Sequence, residues 1–301
     1  MHQYLKAIGF DHLKTKKDLK EVLRDTKENF TSHEETANIE GEIVCEYKKE
    51  YSEAMGIIMC GDYDGEEFEM EYYFPYLKGS GITSYEDIIV EKRMDRDMYL
   101  GVCEDVRVGI SLIFHLINGM EYRQVKNSGG VSKKSTSLTL SAMALSGSIL
   151  LPIKKNDYQL QSQQEEARNR MMLLSAAKSG DEKAMETLTL EDMDTYSKVS
   201  KKLMTNDVYT IVDTYFMPYG AECDQYSILG EILKIRSCRN ERTGTELYVF
   251  TMDVNELQFD VCVPKNSIFG VPEVAHYRPP TCFWWLFRKL SKQSAPVVYS
   301  A

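Results

Sequence analysis

The chain has 301 residues and a mass of 34.6 kDa, with 43% hydrophobic and 27% charged residues. That composition excludes a disordered, collagen-like or low-complexity protein and supplies enough apolar material for a buried core. The net charge of −10 is concentrated in residues 1–150 (net −8, against −2 for 151–301), which disfavours sequence-independent binding of phosphate backbones over the whole surface.

The first residues, Met1 to Lys6, lack the apolar stretch of a secretory signal. The longest apolar run, Val108 to Ile117, is broken by Gly109, Ser111 and His115 and is far short of the ~20 residues a membrane-spanning helix needs. The seven cysteines (Cys45, Cys60, Cys103, Cys223, Cys238, Cys262 and Cys282) are odd in number and contain no C-x-x-C pair. Most lie in apolar runs, so they read as small buried hydrophobes in a reducing compartment. The expectation is a cytoplasmic protein with no integral membrane segment.

Residues 1–30 read as helical, with a capping box from Thr15 to Asp18 and a stripe of Leu19, Val22 and Leu23. Residues 38–125 read mostly as strand. Ile43, Cys45 and Tyr47 alternate with polar residues, Met55 to Cys60 is a second run, and Asp64 and Gly65 signal a hairpin before Phe68, Met70 and Tyr72. Tyr99 to Val108 reads as a strand, and Gly109 to Met120 as a strand or a buried helix. Residues 126–137 (KNSGGVSKKSTS) read as a polar loop, followed by an apolar stretch from Leu138 to Ile153. In 162–217 the period is helical. Glu165 to Ser179 should end at Gly180 as its C′ residue, and Asp181 should begin a short helix. Thr189 to Asp192 has capping-box form for a third helix, and Asn206 for a fourth bearing Val208, Ile211, Val212, Tyr215 and Phe216. Residues 224–270 read as short strands with turns at Asn240 to Gly244 and at Asn255 and Glu256, the pattern of a small barrel.

Few stretches carry readable chemistry. Ser128 to Thr136 has two glycines and two lysines but the wrong spacing for a phosphate-binding loop. A solvated loop is the plainer reading. Asp62 to Glu69 resembles a calcium loop whose glycine comes too early, so an acidic hairpin is favoured. His33 to Ala37 lacks the second histidine of a zinc protease motif, and His115 sits in an apolar run as a core histidine would. No nucleophile elbow is present. These readings imply no metal, no cofactor and no identifiable catalytic residue. The candidate binding surface is Arg236, Tyr248 and Phe250 on the C-terminal β unit, where exposed aromatics beside cations would suit single-stranded nucleic acid, together with Trp284 and Trp285 in the aromatic and basic tail. The competing reading makes Tyr248, Phe250 and Phe259 core, and the tail a last docked strand or helix.

Several segments resemble an uncharacterised bacterial family, the domain-of-unknown-function family 3881. They are Met1 to Phe10, Glu46 to Tyr51, Thr187 to Tyr196, Val208 to Asp224, Phe259 to Cys262 and Gly270 to Val274. The resemblance covers about residues 1–274, and His276 to Ala301 departs from it. It brings no activity, cofactor or catalytic residue.

The fold expected is α+β in three parts. Residues 1–155 form a helix plus a mainly antiparallel sheet, 156–221 a helical segment, and 222–301 a small barrel of the oligonucleotide-binding type. The function expected is a non-enzymatic binding or regulatory module for a protein or a single strand. The alternative is an enzyme whose site is assembled from sequence-distant carboxylates.

Overall fold

The computed structural model describes residues 3–37, 43–93, 98–105, 107–128, 136–150, most of 165–203, 214–219, 224–272 and the backbone of 284–299. A short 3-10 helix, Gln3–Ile8, buries Tyr4, Leu5, Ala7 and Ile8. Helix α1, Lys16–Glu28, starts at Thr15 as the sequence predicts. The Thr15 hydroxyl accepts from the Asp18 N–H, and the Asp18 carboxylate accepts from the Thr15 N–H at 2.9 Å, satisfying two orphan donors.

Four strands follow: β1 Ser32–Ala37, β2 Ile43–Ser52, β3 Met55–Asp64 and β4 Glu67–Leu77. They form an antiparallel sheet in the order β1-β2-β3-β4. The hairpin signal at Asp64 and Gly65 marks the β3–β4 turn, displaced by one residue. Asp64 pairs with Glu67, so the loop is Gly65 and Glu66, with Gly65 alone at positive φ (64°).

The larger sheet contains β5 Ile88–Lys92, β6 Tyr99–Asp105, β7 Ile110–Leu116, β8 Thr136–Ala144, β9 Gly147–Leu150, β10 Tyr215–Pro218, β11 Gln225–Arg239, β12 Glu246–Val254, β13 Leu257–Pro264, the two-residue β14 Ile268–Phe269 and β15 Trp284–Tyr299. Its main path runs β10-β11-β12-β13-β8-β15-β7-β6-β5. Most neighbours are antiparallel, but β13 pairs with β8 in parallel, Val261 opposite Ala142. Sheet hydrogen bonds therefore cross directly from residues 1–155 to residues 222–301. At the β12–β13 hairpin, Asn255 and Glu256 both have positive φ (54° and 66°), the two-residue turn whose twist matches paired strands.

The core explains why Met55 to Cys60 reads as an apolar run. In β3, Ile57 and Met59 face a cluster shared with the N-terminal helices, while Ile58 and Cys60 face a second cluster with Tyr72, Phe74 and Tyr76. In β12, Leu247 and Val249 join the first of these clusters, and Phe250, Met252 and Val254 join the largest one. β3 and β12 are thus covered on two faces, and the larger sheet curls as a half-barrel around the cluster containing Phe114, Phe250 and Phe259.

Helix α2, Gly119–Asn127, follows β7, and the long helix α3, Glu182–Leu203, follows Gly180. Gly180 has φ 90° and ends the preceding helix as predicted. Its N–H donates to the Ala177 carbonyl and the Asp181 N–H to the Ala176 carbonyl, both 3.0 Å, satisfying the last carbonyls of that helix. Two expectations are corrected. Thr189 starts no helix: it lies inside α3, and its hydroxyl donates back to the Met185 carbonyl at 2.8 Å. The cap of α3 is Asp181, whose carboxylate accepts from the Lys183 N–H at 3.0 Å and the Ala184 N–H at 3.3 Å. Tyr215 and Phe216 are strand, not helix, because they pair with Leu229 and Ile228. The rest of the predicted fourth helix, from Asn206 to Val212, lies outside the described residues, as does the Gly129 to Ser135 part of the polar loop.

Candidate binding site

Helix α3 is held to the molecule by a narrow stripe. Ala184 and Leu188 are buried and Asp192 is half-buried, one residue per turn, while the flanking apolar residues stay out. Met185 is 44% exposed, Met193 64% and Tyr196 47%. Asp192 closes against the turn before β7. A side chain on Gly109 would meet the Asp192 carboxylate at 2.4 Å, and Gly109 has φ 67°, so glycine is required there on both counts. The Arg170 guanidinium, from the preceding helix, holds Asp192 at 2.9 Å.

Between α3 and the sheet lies a cavity of about 520 Å³. Met185, Leu188, Met193 and Tyr196 form one wall, and Val108, Ile110 and Tyr215 to Met217 the other. Tyr215 is buried with its hydroxyl 3.3 Å from the Ser227 hydroxyl. Thr214 donates to the Asn255 side chain in a short hydrogen bond, which ties this wall to the β12–β13 turn. Among the described lining residues there is one carboxylate, Asp192, and no histidine or cysteine. The largely apolar lining can accept an apolar group.

The residues singled out from the sequence are placed otherwise. Phe250 is fully buried in the half-barrel cluster, which corrects its assignment to a binding surface: no base can reach a ring sealed inside the sheet. Tyr248, on the same strand face, packs 5.4 Å from the Phe250 ring, half-buried, with the Lys265 ammonium 4.8 Å above it. Arg236 is partly exposed, but its guanidinium donates at 2.7 Å to Asp260, a carboxylate with no exposure. Asp260 also accepts from the Ser80 N–H and hydroxyl and from the Thr251 hydroxyl. Trp284 and Trp285 lie on β15, where their backbone pairs with β11 at Glu231 and Gly230 and with β9 at Leu150 and Ile149. Their side chains are outside the described residues.

Other polar groups and thiols lie in the interior away from this cavity. His115 Nε2 sits 3.2 Å from the Asp224 carboxylate. Glu46 is buried beside Lys48 at 3.2 Å, and burial pushes its carboxyl above the usual range. The five described cysteines are free thiols. Burial, with Glu35 adding to it, pushes the Cys45 thiol up to about 11.

The described residues thus form a mixed sheet with a largely apolar cavity beside α3. The chain belongs to a family described as a domain of unknown function from an E. rectale gene, DUF3881, whose model matches residues 5–279, nearly the whole chain. No curated protein and no solved structure matches it. Among the described residues no helix is long and apolar enough to cross a membrane.

Proposed function

We propose that this chain is a cytoplasmic, non-enzymatic binding module whose partner is a protein. The partner inserts an apolar helical segment into the cavity beside α3. The observation that carries this reading is the exposure of Met185, Met193 and Tyr196 around a cavity already walled by apolar side chains. Methionine adapts its shape to varied apolar partners, and exposed clusters of such residues mark interaction sites. The rim favours a basic segment, since Glu182 to Asp194 carries five carboxylates and one lysine. A solitary ion-paired carboxylate gives the enzyme alternative little support. The nucleic-acid alternative loses Phe250 to the core and finds Arg236 engaged by Asp260.

The test is fluorescence anisotropy of the full chain with a labelled synthetic helical peptide, leucine at i, i+3, i+4 and i+7 and lysine elsewhere. Saturable binding that weakens at least tenfold in both Met185→Asp and Met193→Asp supports the proposal. Absence of binding, or equal binding by both variants, overturns it. A labelled oligothymidylate serves as the second probe. Saturable binding of it that is lost in an Arg236→Ala variant of unchanged fold would replace a protein partner with a single strand.

A further inference from the structure

Strand pairing assembles a set of metal-ligand side chains that no linear motif announces. In the β1–β2 register Glu35 stands opposite Cys45 and His33 opposite Tyr47. Directly opposed residues project to one face of a sheet, and residues two apart on a strand share that face. His33, Glu35 and Cys45 therefore converge. Their imidazole nitrogen, carboxylate oxygen and sulfur all lie within 4.8 Å of one another. His33 Nε2 is buried, makes no hydrogen bond and faces Glu35 Oε1 at 3.5 Å. Cys45 has no exposed surface. The imidazole is oriented by its neighbours: it stacks on the Tyr47 ring at 4.4 Å and 21°, with the Phe30 ring 5.7 Å away. Tyr47 is held in turn by a short hydrogen bond to the Tyr63 hydroxyl and by the edge-on ring of Phe68.

We propose that His33, Glu35 and Cys45 form a three-ligand site for a divalent ion of the zinc type, leaving the fourth position to water or an external ligand. The donor set decides the metal. One nitrogen, one oxygen and one sulfur form the borderline set that zinc accepts, whereas magnesium and calcium require oxygen throughout and cuprous copper prefers a sulfur-rich site. Bonds of roughly 2.0–2.3 Å place tetrahedral ligand atoms about 3.3–3.8 Å apart, within reach of small side-chain rotations from the separations seen. The site lies on the four-stranded sheet, and none of its ligands lines the α3 cavity.

The experiment uses the full chain, stripped with a chelator and titrated with Zn²⁺ in competition with a chromophoric chelator. The expected result is one equivalent bound, weakened about tenfold or more in His33→Gln and in Glu35→Gln, since loss even of a group supporting a ligand costs ~10–100-fold. Cobalt(II) should give a thiolate-to-metal charge-transfer band in wild type that disappears in Cys45→Ser. Cys45 is a core residue whose variant risks misfolding, so the two surface-ward variants carry the decision, with far-ultraviolet circular dichroism confirming their fold. No stoichiometric zinc binding by wild type, unchanged affinity in both variants, or cobalt bound without a thiolate band would overturn the proposal.

Discussion

Asp260 shows at the scale of one residue how a charge survives inside this sheet. Its carboxylate accepts four hydrogen bonds, three at Oδ2 from the Ser80 N–H, the Ser80 hydroxyl and Arg236 and one at Oδ1 from the Thr251 hydroxyl, so neither oxygen is buried without a donor. Arg236→Ala removes one charged donor and should cost about 1.5–3 kcal/mol of stability, measured by urea unfolding. A change below about 0.5 kcal/mol would show Arg236 to be free for another role. Asp105 makes the same point with a pH signature. Burial works against its carboxylate, but hydrogen bonds from Arg107 and Ser84 outweigh it and hold the group below the usual carboxylate range. A depressed folded value means the stabilisation is complete above the unfolded value of about 3.9 and is lost as pH falls through the folded one. Wild type should therefore lose stability below about pH 4. Arg107→Leu should lose about 3 kcal/mol or more already at pH 7, because it strands a buried charge. Equal unfolding midpoints for the two proteins at pH 7 would contradict this. At these positions the sequence shows an acid and a base without their pairing, because Asp260 and Arg236 meet only once β11, β12 and β13 are in register.

Elements with local signals were readable, and those defined by distant partners were not. The Thr15 capping box, Gly180 and the turn at Asn255 and Glu256 each express chemistry within a few residues, and each stands where the sequence puts it. Thr189 to Asp192 carries the same local pattern as a cap, yet α3 runs straight through it because Asp181 already caps the helix and Ala184, Leu188 and Asp192 continue one stripe. The two readings differ in a measurable way. If Asp181 is the cap, Asp181→Ala costs about 1 kcal/mol in thermal unfolding. Thr189→Ala in a helix interior should then be neutral or stabilising by a few tenths, since alanine is the better helix former. A loss of about 1 kcal/mol at Thr189 instead would restore a helix start there. The misread cap also hid the candidate site, because Met185, Thr189, Met193 and Tyr196 share a face only if the helix is continuous. His33, Glu35 and Cys45 stayed hidden for a related reason: antiparallel pairing, not spacing, makes them neighbours.

Over the whole molecule, alternation in residues 38–125 was enough to predict a mainly antiparallel sheet, turn residues in 224–270 were enough to predict short strands, and two-sided burial explains why Met55 to Cys60 of β3 reads as an apolar run. The parallel pairing of β13 with β8 leaves no trace in either segment alone, so a small separate β unit was the natural reading of residues that in fact share a sheet with the first half. Against that extensively hydrogen-bonded framework α3 leaves Met185, Leu190, Met193 and Tyr196 exposed, and the proposed partner site rests on it. The most direct measurement is photo-crosslinking in the native cell with p-benzoylphenylalanine in place of Tyr196, and in place of the exposed Tyr85 as control. The account predicts a dominant discrete protein adduct at position 196 that is absent at 85 and is lost when Met193→Asp is added. No adduct above control, or an adduct indifferent to Met193, would contradict it.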